Sequence, residues 1–293
     1  IVGYVLLFAL LLFSALIASN INFYALAKSE SSLTGSKGNE EQLRNWAKEV
    51  LIDVGQIRGM PTKQAVEIKL SSPAEIKDFV IARFKKENTS EKLLATQKTL
   101  AKIGLIPPKM NLEKYLTDLY MEQIGGYYDQ YKKILYLADW IPAEFQKLVM
   151  AHELLHALQD QYFNLPRLIN PHDDPNDVHM AKMALVEGEA TAVMMEYLLK
   201  PQGISLNDFP DLKLLMLEQL KGQLTQIPNS KLQQVPNVIQ KNILFPYIYG
   251  LSFLQVVRKS YPWERVSAMY NDPPSSTEQI MHPEKYLTKR DNP

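Results

Sequence analysis

Apolar residues recur at helical spacing through most of this chain. Between Glu40 and Val54, residues Leu43, Trp46, Ala47, Val50, Leu51 and Val54 return every three or four positions, which predicts a helix with one buried face. Ala65-Val66-Glu67-Ile68-Lys69-Leu70 instead alternates, which is the period of a strand. Helices are predicted again over 73–86 and 90–103, and Gly104 with Pro107-Pro108 closes the second. Another over 111–123 stops at Gly125-Gly126. Tyr127-Tyr128-Asp129 and Ile134-Leu135-Tyr136-Leu137 then flank residues 130–133 and read as a hairpin.

The second half is more strongly helical. With Pro142 in its first turn, a helix runs to about residue 163, where Asn164 and Pro166 break it. Residues 164–178 are rich in Pro, Asp and Asn and read as a loop. A second helix spans 181–200 and is apolar around most of its girth. Two looser helices are expected over 211–224 and 238–260, and a Pro-rich tail over 273–286 ends the fold.

The chemistry sits on the two helices of this half. His152 and His156 lie four apart, so both imidazoles present to one point, with Glu153 about 100° around the helix from His152. Two neutral imidazoles suit zinc, and a carboxylate beside the metal's open position suits a general base. A third protein ligand is needed. On the second helix Lys182, Glu189 and Glu196 repeat every seven residues and predict a solvated stripe. Glu187 points the other way, among Ala184, Ala190, Thr191 and Met194, where a carboxylate is costly unless paired or bound to metal. Glu187 is therefore the expected ligand, with Glu189 and His179 as rivals. Gly188, unfavourable within a helix, implies a close approach there. Asp160, four after His156, is placed to orient a ligand imidazole. A di-iron site would need a second Glu-x-x-His pair, and no other histidine has a Glu three residues before it.

His152-Glu153-Leu154-Leu155-His156 resembles the H-E-x-x-H pattern of zinc metallopeptidases. Glu187-Gly188-Glu189-Ala190 resembles the Glu-Gly-x-Ala helix of gluzincins, in which the first Glu binds zinc. The resemblance implies an α+β, mostly helical, zincin-like metallopeptidase with a small sheet or hairpin before the H-E-x-x-H helix. It implies Zn2+ held by His152, His156 and Glu187, and Glu153 as general base on an attacking water. It also implies a donor to the reaction's oxyanion, for which His282 is the candidate and Tyr247, Tyr249 and Tyr286 are rivals. The strand edge before the helix is, by the same likeness, where an extended substrate could pair. One departure stands out: many gluzincins carry an Asp four residues after the ligand Glu, and this chain has Thr191.

Composition narrows the rest. The 293 residues carry no net charge and no basic block, which excludes nucleic acid as an expected partner; a peptide or protein substrate is expected instead. With no cysteine there is neither a disulfide framework nor a thiolate metal site. Residues 1–27 are uncharged and apolar, and fit an export signal ending at Ala25-Leu26-Ala27 or a membrane anchor. A flexible linker over 28–39 follows. Residues 40–110 are expected as a supporting lobe and 111–293 as the catalytic domain, in an extracytoplasmic protein that is secreted, periplasmic or held at a membrane by its leader. Two other functions fit the same residues: a zinc-containing scaffold without activity, and a hydrolase of a non-peptide amide.

Overall fold

The computed structural model describes residues 36–87, 89–141, 143–226 and 235–292. The expected leader and most of the expected linker lie outside them. The last four linker residues, 36–39, belong to the first turn of helix α1 (Ser36–Arg58). A helix nucleated by a packed face further along extends through polar residues at little cost, so the composition of 36–39 does not keep them out of it. No helix among the described residues is long and apolar enough to cross a membrane.

The chain is mostly helical, with one small sheet. After α1 come β1 (Glu67–Ser71), α2 (Pro73–Glu87), α3 (Ser90–Lys102) and α4 (Leu112–Gln123). The hairpin β2 (Gly126–Asp129) and β3 (Ile134–Ala138) leads into α5 (Ala143–Phe163) and the single turn α6 (Leu165–Leu168). Then follow α7 (Asn176–Leu199), α8 (Leu212–Gln226), α9 (Asn237–Ser260) and the short helices α10 (Trp263–Met269), α11 (Thr277–Met281) and α12 (Glu284–Leu287).

β3 is the central strand. It pairs antiparallel with β2, Tyr128 opposite Leu135, and parallel with β1, Ile68 opposite Leu135. The alternation of side chains then sorts the sheet's two faces. Tyr127 and Tyr136, opposite each other in register, stack together, and Tyr127 also stacks on Phe79 of α2. The other face lies on α5, and there Gly126 lets the strand come close: a Cβ on it would sit 2.8 Å from Val149 Cγ1. α5 in turn packs on α1 and α7, and α7 on α9, the most extensive helix pair in the fold.

Residues 40–110, expected as a supporting lobe packed on the helices of the second half, share both sheet and core with the rest. β1 is one edge of the sheet completed by β2 and β3, and the α1 face formed by Leu43, Ala47, Val50 and Val54 is buried in the same cluster as α5 and α7. α1 ends where Gly59 adopts φ +72°, with Met60 N–H donating to Gly55 O at 2.9 Å and Gly59 N–H to Gln56 O at 3.3 Å. That left-handed terminus stops the helix directly after Arg58 and turns the chain away.

Candidate metal centre

Three buried side chains converge from α5 and α7. His152 Nε2 lies 3.1 Å from Glu187 Oε2 and 3.1 Å from His156 Nε2, and His156 Nε2 lies 3.3 Å from the same Glu187 oxygen. All three are fully inaccessible to solvent, and the rings meet edge to face at 83°. The group could hold a metal ion. Glu187 Oε1 has no hydrogen-bond partner among the described residues, although it is buried. An orphaned carboxylate oxygen in an apolar surround is costly, and a cation offsets that cost.

Electrostatics point the same way. Burial holds the His152 pKa below the usual imidazole range. Burial also works to lower that of His156, but the Glu187 charge beside it wins and raises it to about 9. Glu187 would be pushed up by burial, yet the His156 charge and hydrogen bonds from both rings hold it at about 2. Without metal the trio therefore shares one proton at neutral pH, on His156, facing an ionised Glu187.

Next to Glu187, α7 is fixed against α9 by a glycine contact. A Cβ on Gly188 would lie 2.6 Å from Gly250 Cα, and one on Gly250 2.9 Å from Gly188 Cα. These two positions are where α7 and α9 cross, and bare backbone is what the crossing admits. The close approach expected at Gly188 is thus to Gly250 of a neighbouring helix.

Glu153, also fully buried, is held from the sheet: Tyr128 N–H donates to its Oε2 at 2.7 Å. β2 is an edge strand, so this N–H points away from β3. The expected substrate-pairing edge therefore has one donor already engaged, by the carboxylate itself. The Tyr128 hydroxyl donates to Asp160 at 2.9 Å, and burial followed by the Asp160 charge raises its pKa. Lys133, with φ +61° in the hairpin turn, also pairs with Asp160.

Asp160 thus serves the hairpin rather than a ligand imidazole. The orienting residue is Gln159, whose Oε1 lies 2.7 Å from His156 Nδ1. The two hydrogens of its amide nitrogen are shared among three acceptors, Val186 O (3.0 Å), Glu189 Oε2 (2.7 Å) and the Tyr270 hydroxyl oxygen (2.8 Å). Three acceptors around the NH2 leave the amide oxygen for His156, so Nδ1 carries a proton in either charge state of the ring and Nε2 is the nitrogen a metal would take. Glu189 is no metal ligand and faces no solvent. It is buried against Arg58, Gln159 and the Tyr270 hydroxyl. The expected solvated stripe fails here because α1 covers it and supplies the countercharge.

His282 is not brought to the cluster. It ends α11 with its side chain 55 % exposed and Nδ1 3.6 Å from Glu284 Oε1. Histidine next to proline marked a residue type, and nothing local to it encoded a direction. Of its rivals, Tyr286 donates to Asp272 O at 2.6 Å and Tyr249 stacks on Phe245. Tyr247 has its ring 6.3 Å from that of His152 and inclined to it by 25°.

A cavity of about 740 Å³ reaches this centre, with Glu187 and Tyr247 in its lining. Gln159, Arg58, Tyr270 and the Tyr128 amide were not singled out from sequence. Only Gln159 carried a local signal, lying three residues after His156 and hence on an adjacent part of the helix face. Comparison with protein-family models, with curated proteins and with solved structures finds no match to this chain.

Proposed function

We propose that this protein is a zinc-dependent peptidase of zincin-like architecture, working outside the cytoplasm. The observation that carries the reading is the triangle of donor atoms: the three edges measure 3.1, 3.1 and 3.3 Å. A tetrahedral ion with bonds of about 2.0–2.1 Å separates its ligands by about 3.3–3.4 Å, so the donors stand close to where zinc requires them. Two imidazoles and one carboxylate form a ligand set that leaves the fourth position open, as catalytic rather than structural zinc sites do.

Zinc in this site would supply Lewis acidity, polarising a scissile carbonyl and acidifying a water. The chain's own groups do the rest. Glu153 takes the proton of the attacking water and returns it to the leaving amine, while the Tyr128 amide keeps its carboxylate facing the site. Gln159 fixes the His156 ring so that Nε2 is the ligating nitrogen. Tyr247, whose ring lies beside that of His152 and in the cavity wall, takes in this reading the oxyanion-donor role expected of His282.

The complete burial of His152, Glu153, His156 and Glu187 favours one other reading, a structural metal site without turnover. A single variant separates the two. Glu153→Gln is isosteric and is expected to keep stoichiometric zinc while losing peptide hydrolysis by about a thousandfold or more. Wild-type protein that binds zinc and cleaves no member of a mixed peptide library would favour the structural reading. Undiminished turnover in Glu153→Gln would remove the assigned base.

A further inference from the structure

We infer that the 740 Å³ cavity is the substrate site, and that it selects peptides by a run of bulky apolar side chains. This rests on the peptidase reading above and specifies its substrate class.

Two separate parts of the fold wall the cavity. Phe84 of α2, Leu100 of α3 and Leu116 of α4 line one side; Met183 of α7 and Ile243 and Phe245 of α9 line the other. α2 and α3 each pack on α4, and α2 also on β1, and the cavity is the space between them and the α7–α9 pair. The N-terminal helices thus contribute a wall of the site as well as support. The volume falls within the range of small-molecule and peptide pockets, roughly 300–1,000 Å³, and exceeds what a single side chain fills.

Charge is distributed unevenly along the lining. Asp177 and Lys241 are exposed, and Asp177 is engaged by Thr277, so these mark a polar mouth. Further in, the half-buried His179 and the carboxylate of Glu187 also line it, and Glu187 Oε2 faces the two histidines of the cluster. Phe84, Leu100, Leu116, Met183, Ile243 and Phe245 offer a bound side chain no hydrogen bond, so a charged side chain set among them loses water without return, whereas an apolar one gains by every square ångström removed from water. Because Glu187 belongs both to the lining and to the buried cluster, a peptide seated among these walls lies beside the metal centre.

Binding can be measured without turnover, which keeps this inference separable from the peptidase reading. Zinc-loaded Glu153→Gln protein is titrated with a decapeptide rich in Leu and Phe, and with its counterpart carrying Lys and Glu at those positions. The apolar peptide is expected to bind at least about tenfold more tightly. Leu116→Lys in the same background should abolish that preference while leaving zinc stoichiometry and melting temperature unchanged. Leu100→Lys, on a different helix, takes its place if Leu116→Lys unfolds. Equal affinity for the two peptides, or binding of neither, overturns the inference even if the wild type cleaves peptides elsewhere. Binding of laurate but of neither peptide also overturns it, and assigns the cavity to a lipid. Selective binding of the apolar peptide by a protein whose wild type never cleaves it supports the cavity assignment and refutes the peptidase reading.

Discussion

Gln159 Oε1 accepts the Nδ1 proton of His156 at 2.7 Å, which leaves the opposite nitrogen of that ring 3.3 Å from Glu187. The amide is itself anchored at three points, on Val186, Glu189 and Tyr270. Removing it frees the imidazole to rotate and to change tautomer. Gln159→Leu is therefore expected to weaken zinc binding by about 10–100-fold in chelator competition, the usual cost of losing such a partner. Affinity unchanged within twofold would mean that Gln159 merely fills space.

The anchoring network ends at the far end of α1. Arg58 and Glu189 form a fully buried ion pair, and Arg58 also donates to Ser267 Oγ at 3.0 Å and lies over the Trp263 ring. Arg58→Ala would strand a buried carboxylate, a loss of about 3–5 kcal/mol in denaturant unfolding. The double variant Arg58→Met with Glu189→Met should recover most of it, because the cost lies in the unpaired charge. A single variant as stable as the wild type would contradict the network.

These long-range ties explain what sequence could and could not reveal. The cluster was legible because His152 and His156 are four apart on one helix and Glu187 interrupts an apolar face about three turns into another. β1, the hairpin and the major helices followed from local period and turn chemistry. The start of α7 was missed by a turn: Pro175 sits at its N-cap, where proline is tolerated, so the Pro- and Asp-rich run is shorter than its composition suggests. Lys182, Glu189 and Glu196 repeat every seven residues yet share no environment. They meet Asp174, Arg58 and the Ser205-Leu206 turn respectively. Glu189 found its partner 131 positions away, a distance over which periodicity says nothing.

The α7–α9 crossing offers a sharper test of packing. Gly188→Ala drives a methyl group into the Gly250 backbone, where no side chain can swing aside. A destabilisation of about 3 kcal/mol or more is expected, with a parallel loss of zinc because Glu187 moves with its neighbour. Gly203→Ala serves as a control. Its φ of +69° brings strain, but nothing lies within 4 Å of the added Cβ, so the cost should be about 1 kcal/mol with zinc retained. Equal losses in the two variants would locate the effect in backbone conformation alone.

Metal uptake should be coupled to a proton, with a sign set by His156. In the metal-free fold its pKa is raised to about 9 by Glu187, against an ordinary value of 6.5, so below pH 9 the ring must lose a proton before it can ligate. Zinc affinity is therefore expected to rise about tenfold per pH unit between pH 6.5 and 9, with about one proton released per ion in a weakly buffered titration. The same shift acts on stability. A folded pKa above the unfolded one contributes stability that is complete below pH 6.5 and disappears as pH rises through 9, so metal-free protein should melt lower at pH 9 than at pH 6. Glu187, held at about 2 against 4.5, contributes in the opposite sense: its share is present above pH 4.5 and is lost as pH falls through 2. Zinc affinity that stays flat across pH 6.5–9 would show that the trio carries no shared proton.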